Sequence, residues 1–288
     1  MSNKDLLNNI KKLRELTGVG FKDCKIALDE TKGDLEKSVE FLRKKGIAKA
    51  SKKMSRTASE GLVLTKEGEG KISLIEINSE TDFVAKNQDF INFCKELSEI
   101  NFKVEGNIEK LNNSKMKNEI LVKDNLVNLI AKIGEKITIR RTDFFDNSIG
   151  SNFFYVHSAI DKGIGKITAV VKIEGITEGK NDEIGNKIAM HIAASNPLAL
   201  DKNSIDKKLI DKELEIIKAE ILNSGKPEAM VEKISKGKIN KFLEDNSLLN
   251  QIWIMDPKKK VSDVLKENSS DKPLKVLDFV RYKVGEGI

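Results

Sequence analysis

Between residues 61 and 103 the hydrophobic pattern of the chain changes its period. GLVLTK (61–66) and KISLIEIN (71–78) are runs of apolar and β-branched residues of strand length, separated by the glycine-bearing turn Glu67-Gly68-Glu69-Gly70. From Phe90 onward, Phe90, Phe93, Cys94 and Leu97 recur at helical spacing, and Asn87 stands where an N-cap is expected. The stretch Ser79-Glu80-Thr81-Asp82-Phe83-Val84-Ala85-Lys86-Asn87 therefore falls on or beside a strand-to-helix turn. Such turns run over the surface and often carry function. Phe83, next to Asp82, is either a turn residue folded back into its own core or a wedge for a partner. Spacing alone favours burial, because large apolar side chains are usually inside.

Helical spacing dominates on both sides of this unit. Leu6, Ile10, Leu13 and Leu16 form a stripe that stops at Thr17-Gly18-Val19-Gly20. A second short helix over 21–30 carries Cys24, Ala27 and Leu28. Asp34 then caps a third, lined by Leu35, Val39 and Leu42 and closing at Gly46. Three helices over 1–50 suit a small adaptor module. Arg43, Lys44, Lys45, Lys49, Lys52, Lys53 and Arg56 lead into SRTASEG. This basic run could seek phosphates, but no aromatics interleave for base stacking, so it reads as a solvated linker over 51–60.

Beyond a polar stretch at 101–118, Leu121, Leu126, Leu129, Ile130 and Ile133 predict a helix ended by Gly134. Strands follow over 137–145, 152–160 and 166–174. Antiparallel pairing is expected among them because no helix fits between. Ile184, Ile188 and Ile192 predict a helix stopped at Asn196-Pro197. Charged helices over 206–223 and 228–245, joined by Ser224-Gly225-Lys226-Pro227, read as a hairpin. Its narrow stripe sets Leu209, Leu214, Ile217 and Ile221 against Val231, Ile234, Ile239 and Phe242, which suits either a projecting coiled-coil arm or an ordinary packed pair. VSDVLKEN and residues 274–284 close the chain as a short helix and a strand. The expectation is an α+β fold: helical unit 1–50, linker 51–60, and core subdomains 61–135 and 136–288, the latter including the hairpin 206–245.

Composition narrows the function classes. The chain has 288 residues, 39% hydrophobic and 33% charged, as in a soluble, helix-rich protein. A net charge of +6 favours acidic partners only weakly and does not argue for nucleic acid. Cys24 and Cys94 form no CxxC pair, so buried thiols are expected rather than a disulfide or zinc site. MSNKDLLNNIKK lacks a signal-peptide core, and no run approaches the ~20 apolar residues of a membrane span. A cytoplasmic protein is the expectation. Gly70-Lys71 lacks the spacing of a phosphate loop. His157 and His191 stand at spacings unrelated to each other and to the cysteines. A Cys94/His157 pair would need spatial proximity, and the carboxylates are scattered. No catalytic constellation, metal site or cofactor is expected.

EINSETDFVAKNQDF resembles the signature of the elongation factor Ts family, exchange factors of the translational GTPase elongation factor Tu. LRELTGVGFKDCKIALDETKGDLEKSVEFLRKKG, AKIGEKITIRR, KIAMHIAASNPLAL and SGKPEAMVEKISKGKINKF extend the resemblance over nearly the whole chain. The likeness implies a ubiquitin-associated-like N-terminal domain that docks on the GTPase through Val19 and Gly20. It implies that Thr81, Asp82, Phe83 and Val84 bind the partner and dislodge its Mg²⁺, with Phe83 as the wedge. It implies further contacts from Ile133-Gly134 and, near the phosphate side, from His157 in a Tyr-x-His segment with Tyr155. Thr168 stands where relatives usually carry a glycine. The hairpin 206–245 would serve as a homodimer or partner-contact element. No nucleotide site, membrane contact or specific nucleic acid is implied. The alternative class is a ribosome- or RNA-binding adaptor working through the N-terminal bundle and the basic run.

Overall fold

The computed structural model describes residues 3–288 apart from 18, 178, 180, 181, 225 and 226. The expected helix stop at Gly18 and the Gly225-Lys226 part of the hairpin turn lie outside the described residues. Three helices open the chain: α1 (Asn3–Thr17), α2 (Phe21–Glu30) and α3 (Leu35–Ser51). Ile10, Leu13, Cys24, Ala27, Leu28 and Leu42 are their shared core. Asp34 caps α3 by accepting from Lys37 N at 3.0 Å. Two expectations fail here. Leu16 is 65% exposed rather than part of the core stripe. Gly46 does not end α3. A Cβ there would touch Ala131 and Val127 of the later helix α7 (Val122–Ile133), so this glycine is where α3 crosses α7 closely.

Next come β1 (Glu60–Gly68) and β2 (Lys71–Ser79), whose two-residue loop Glu69-Gly70 has positive φ at both positions. That geometry matches the right-handed twist of a hairpin. The chain continues through α4 (Asp82–Ala85), α5 (Gln88–Lys103), α6 (Ile108–Asn112) and α7 to β3 (Ile137–Phe145). After β4 (Ser151–His157), β5 (Ile164–Gly165) and β6 (Ile167–Glu174) come α8 (Asp182–Ser195), α9 (Lys207–Asn223), α10 (Glu228–Asp245), α11 (Val261–Glu267) and β7 (Lys275–Lys283). The strands form two antiparallel sheets, β3-β2-β1-β5 and β4-β6-β7. The expected pairing of three successive strands holds for β4 with β6 only, because β3 turns back to pair with β2.

Alternation along the strands builds the layers. Ile75 and Ile77 of β2 join Phe90, Cys94 and Leu97 of α5 and Leu129 and Ile130 of α7 in one core. Ile72 and Leu74, on the opposite face, pack with Val170 of β6 and Tyr282 of β7. Ala169, Val171 and Ile173 of β6 face a third core with Ile188 and Ile192 of α8 and Trp253. The order of layers is helices, sheet, sheet, helices. The hairpin α9–α10 has its own narrow core of Ile217, Ile221 and Val231, while Leu209 is exposed.

One buried charge joins the two sheets. Glu76 of β2 is fully buried, and a bulge in the β2–β3 ladder sets both Arg140 and Arg141 opposite it. Arg140 Nη1 donates at 3.0 Å and Arg141 Nε at 2.6 Å, while Gly285 N, just past β7, donates at 2.9 Å. Burial pushes the Glu76 carboxyl up. The donations from Gly285, Asn78, Arg141 and Arg140 outweigh that and hold it below the ordinary carboxylate value. His191 of α8 is a second buried polar group. Its Nε2 lies 3.0 Å from Gln251 Oε1, and its ring stacks on Trp253 with centroids 5.2 Å apart. It is thus a packing histidine.

Two outcomes follow from these groups. Glu76→Ala removes the buried acceptor shared by Gly285 N, Asn78 and two half-buried arginines and should cost about 3–5 kcal/mol in urea unfolding. Glu76→Gln, which keeps acceptors for Gly285 N and the arginines, should cost less. A cost under about 1 kcal/mol for Glu76→Ala would contradict the structural weight assigned to this group. Burial depresses the His191 pKa, so the folded state favours the neutral ring. Its contribution is therefore full above about 6.5 and is lost as pH falls from there to the depressed folded value. His191→Phe should flatten this part of the stability–pH curve, measured by urea unfolding across that range.

Candidate functional site

β2 ends at Ser79, paired in register between Glu60 of β1 and Ile137 of β3. The chain leaves the sheet in extended conformation at Thr81 (φ −125°, ψ 158°) and enters the four-residue helix α4. Val84 and Ala85 are buried in the first core beside Phe90. Neighbouring residues in a helix point about 100° apart, so burying these two turns Phe83 away from the core. Phe83 is 79% exposed, the most exposed large apolar side chain among the described residues. The burial that spacing favoured for Phe83 is thus corrected. Val84 takes the inward place, and Phe83 is left in water.

The turn is clamped on both sides. Glu135, just after α7, accepts from Thr81 N at 3.0 Å and from Thr81 Oγ1 at 2.9 Å. Glu80 reciprocates by accepting from Lys136 N at 2.5 Å and pairing with Arg56 at 3.2 Å. Burial raises the Glu80 carboxyl, but Lys136 N and Arg56 outweigh it and hold the pKa below its usual range. Ser79 Oγ donates to Thr81 O at 3.0 Å. Lys86 reaches back one turn to Asp82 at 2.7 Å, which lowers the Asp82 pKa. Asn87 caps α5 by accepting from Asp89 N and Phe90 N.

These bonds bring Ile133 and Gly134 to the same place. Gly134 takes the left-handed conformation (φ 88°) that lets α7 stop and the chain double back, so that Glu135 and Lys136 meet Glu80 and Thr81. Lys53 Nζ donates to Gly134 O, and Lys136 Nζ donates to Met54 O at 2.9 Å and Arg56 O at 2.8 Å. His157 is exposed at the end of β4, with its Nδ1 3.3 Å from Tyr155 Oη. It pairs with Ile167, next to Lys166, and Lys166 both bonds Glu60 at 2.8 Å and lowers the Asp82 pKa. Thr168, on the strand beside this end, is fully buried. Val19 and Gly20 lie apart from this cluster. Val19 lines a groove with Leu16, Val39, Arg43, Asp124 and Asn128 near the start of α7, and that helix is about 18 Å long.

Several of these residues carry no local sequence signal. Glu80 and Glu135 look like ordinary solvated acids, and their partners are 56 and 54 positions away. The basic run is likewise more than a solvated tether. Arg43 makes a two-pronged pair with Asp124, Lys45 bonds Asp23, and Lys53 and Arg56 reach the turn.

A cleft of about 620 Å³ opens elsewhere, between β1, α5 and residues 161–164. Its Lys66 is paired with Glu99 and its Lys95 with Asp161. Among the described residues no group of three His, Cys, Asp or Glu could hold a metal, and no helix is long and apolar enough to cross a membrane. Cys94 is fully buried, and burial pushes its thiol well above the usual value, so it offers no thiolate to the exposed His157.

Comparison with known proteins bears on the whole chain. A family model described as Elongation factor TS matches residues 80–286. A relative named elongation factor Ts from Methylobacterium nodulans is 43% identical over 283 residues, covering 97% of this chain and 92% of the relative. One from Clostridium kluyveri is 43% identical over 287 residues, with the same coverage. One from Nitrobacter hamburgensis is 40% identical over 284 residues, again at 97% and 92%. With a family model matched from the clamped turn to the end of the second sheet, and with relatives this similar over nearly their full length, the chain belongs to the elongation factor Ts family.

Proposed function

We propose that this protein binds elongation factor Tu and speeds GDP release from it, with Phe83 as the wedge. Membership in the family makes it a nucleotide exchange factor of translation elongation. The single observation that carries the finer reading is Phe83, 79% exposed on a turn whose two flanks are fixed by hydrogen bonds. An aromatic on a backbone already fixed loses less freedom when it enters a partner's apolar cleft, which favours an interface anchor.

In this account Phe83 enters a cleft between helices of the GTPase nucleotide-binding domain. Thr81 and Asp82 displace the elements that hold Mg²⁺, and Val84 keeps the turn seated from inside. Ile133-Gly134, brought beside Thr81 by Glu135, and His157, at the strand end near Lys166, press on the phosphate side. Val19 and Gly20 dock the three-helix unit 1–50 on the same GTPase. The linker 51–60 and the core subdomains 61–135 and 136–288 set the spacing between these contacts, and the hairpin 206–245 provides a self-association or partner-contact arm.

Thermodynamic linkage fixes the form of the activity. If the factor weakens GDP binding by some ratio, GDP weakens the factor's binding by the same ratio. No bond is made or broken by the factor itself. The direction of exchange is set by the nucleotide in excess.

The test is release of a fluorescent GDP analogue from elongation factor Tu by this protein and its variants. Phe83→Ala should lose about 2 kcal/mol of anchor energy, or roughly 30-fold in stimulation at sub-saturating factor. Asp82→Ala should lose less, because its carboxylate is partly occupied by Lys86. Equal stimulation by all three proteins would refute the wedge.

A further inference from the structure

The geometry points to Glu135 as a positioning residue for Phe83. Its carboxylate is the latch that keeps α4 folded with the phenylalanine outward before any partner arrives. This rests on the wedge reading given above and deepens it.

Helix α4 has only four residues, far below the length at which a helix is stable in water by itself. Thr81 occupies its N-cap position but makes no cap hydrogen bond to α4. Its hydroxyl is used elsewhere, because Thr81 Oγ1 donates to Glu135 Oε1 at 2.9 Å while Thr81 N donates to Glu135 Oε2 at 3.0 Å. Both oxygens of one carboxylate thus grip the residue that starts the helix. At its C-terminal end the turn closes through Lys86 N to Phe83 O at 3.2 Å and Asn87 N to Val84 O at 2.9 Å. Burial of Val84 and Ala85 turns Phe83 outward only while α4 is folded, and so the outward pose needs a restraint on α4. Glu135 supplies it from the far side of the Gly134 turn. Glu80 closes the same latch in reverse through Lys136 N.

A latch of this kind predicts a particular kinetic signature. Removing it lowers the fraction of molecules in the competent pose and leaves the competent pose itself intact. The half-saturating factor concentration then rises by the inverse of that fraction while the rate at saturation is kept. A turn competent one time in ten would raise it about tenfold. Glutamine can imitate the grip, with its carbonyl accepting from Thr81 N and its amide donating to Thr81 Oγ1.

The experiment has two arms on the full chain. Amide hydrogen exchange of the isolated protein reads the Lys86 and Asn87 amides in wild type, Glu135→Ala, Glu135→Gln and Thr81→Val. Faster exchange of these amides, together with Thr81 N, in Glu135→Ala, a smaller change in Thr81→Val and near-wild-type exchange in Glu135→Gln are expected. Thr81→Val, which removes only the hydroxyl bond, serves if Glu135→Ala does not fold. Unchanged exchange in the folded variants overturns the latch without reference to any partner. GDP release from elongation factor Tu, titrated with factor, is the second arm. Glu135→Ala should raise the half-saturating concentration, and by much less in a Phe83→Ala background. Additive losses in the double variant would overturn the inference, because Glu135 would then act independently of Phe83. If Phe83→Ala alone has no effect, the wedge reading fails, and the exchange arm still decides whether Glu135 holds the turn.

Discussion

A four-residue helix cannot hold its shape in water, and α4 is the element on which the proposed contact depends. Its conformation is borrowed from its neighbours. β2 delivers the chain from inside a sheet, where a slip of one residue would exchange the side chains it gives to the two cores on its faces. Val84 and Ala85 sink into the core that β2 shares with α5, and Asn87 begins α5 immediately afterwards. The Gly134 turn then brings Glu135 and Lys136 back against Thr81 and Glu80. With the flanks fixed, Phe83 has nowhere to go but outward. Leaving such a side chain in water forgoes about 1.5–3 kcal/mol of burial, which the rest of the fold offsets and a partner's cleft could recover.

The second sheet matters to this site through the Glu76 cluster. Gly285 follows β7, yet its amide bonds a carboxylate at the middle of β2, and Arg140 also donates to Glu286 O. The β4 end that carries His157, and Lys166 between β5 and β6, are therefore registered against the sheet that carries the turn. Stability alone would be served as well by an apolar contact here. A fixed register between two sheets that each contribute proposed contacts is what the charge cluster adds.

Local pattern was enough for the elements near the site. Alternation in KISLIEIN, helical spacing from Phe90 and the glycine after Ile133 located β2, α5 and the end of α7, because each is decided within a few residues. The side on which Phe83 falls was not legible, since Phe83 and Val84 are adjacent apolar residues and only packing chooses between them. Gly46 read as a stop because its partner residues, Ala131 and Val127, are more than eighty positions away. The partner of β3 is hidden for the same reason, since β2, along which it pairs, lies more than fifty positions earlier. Glu80 and Glu135 are indistinguishable from surface acids until the chain has doubled back. The family resemblance singled out Thr81, Asp82 and Phe83, but not what holds them.

The central claim is that Phe83 couples factor binding to nucleotide binding. The most direct measurement is calorimetric: the affinity of this protein for elongation factor Tu, nucleotide-free and GDP-bound, with Phe83 intact and replaced by alanine. The account predicts that GDP weakens binding of the intact protein severalfold or more, and that the ratio shrinks toward one in Phe83→Ala. The same ratio in both proteins would contradict it, and the coupling would then have to run through other contacts.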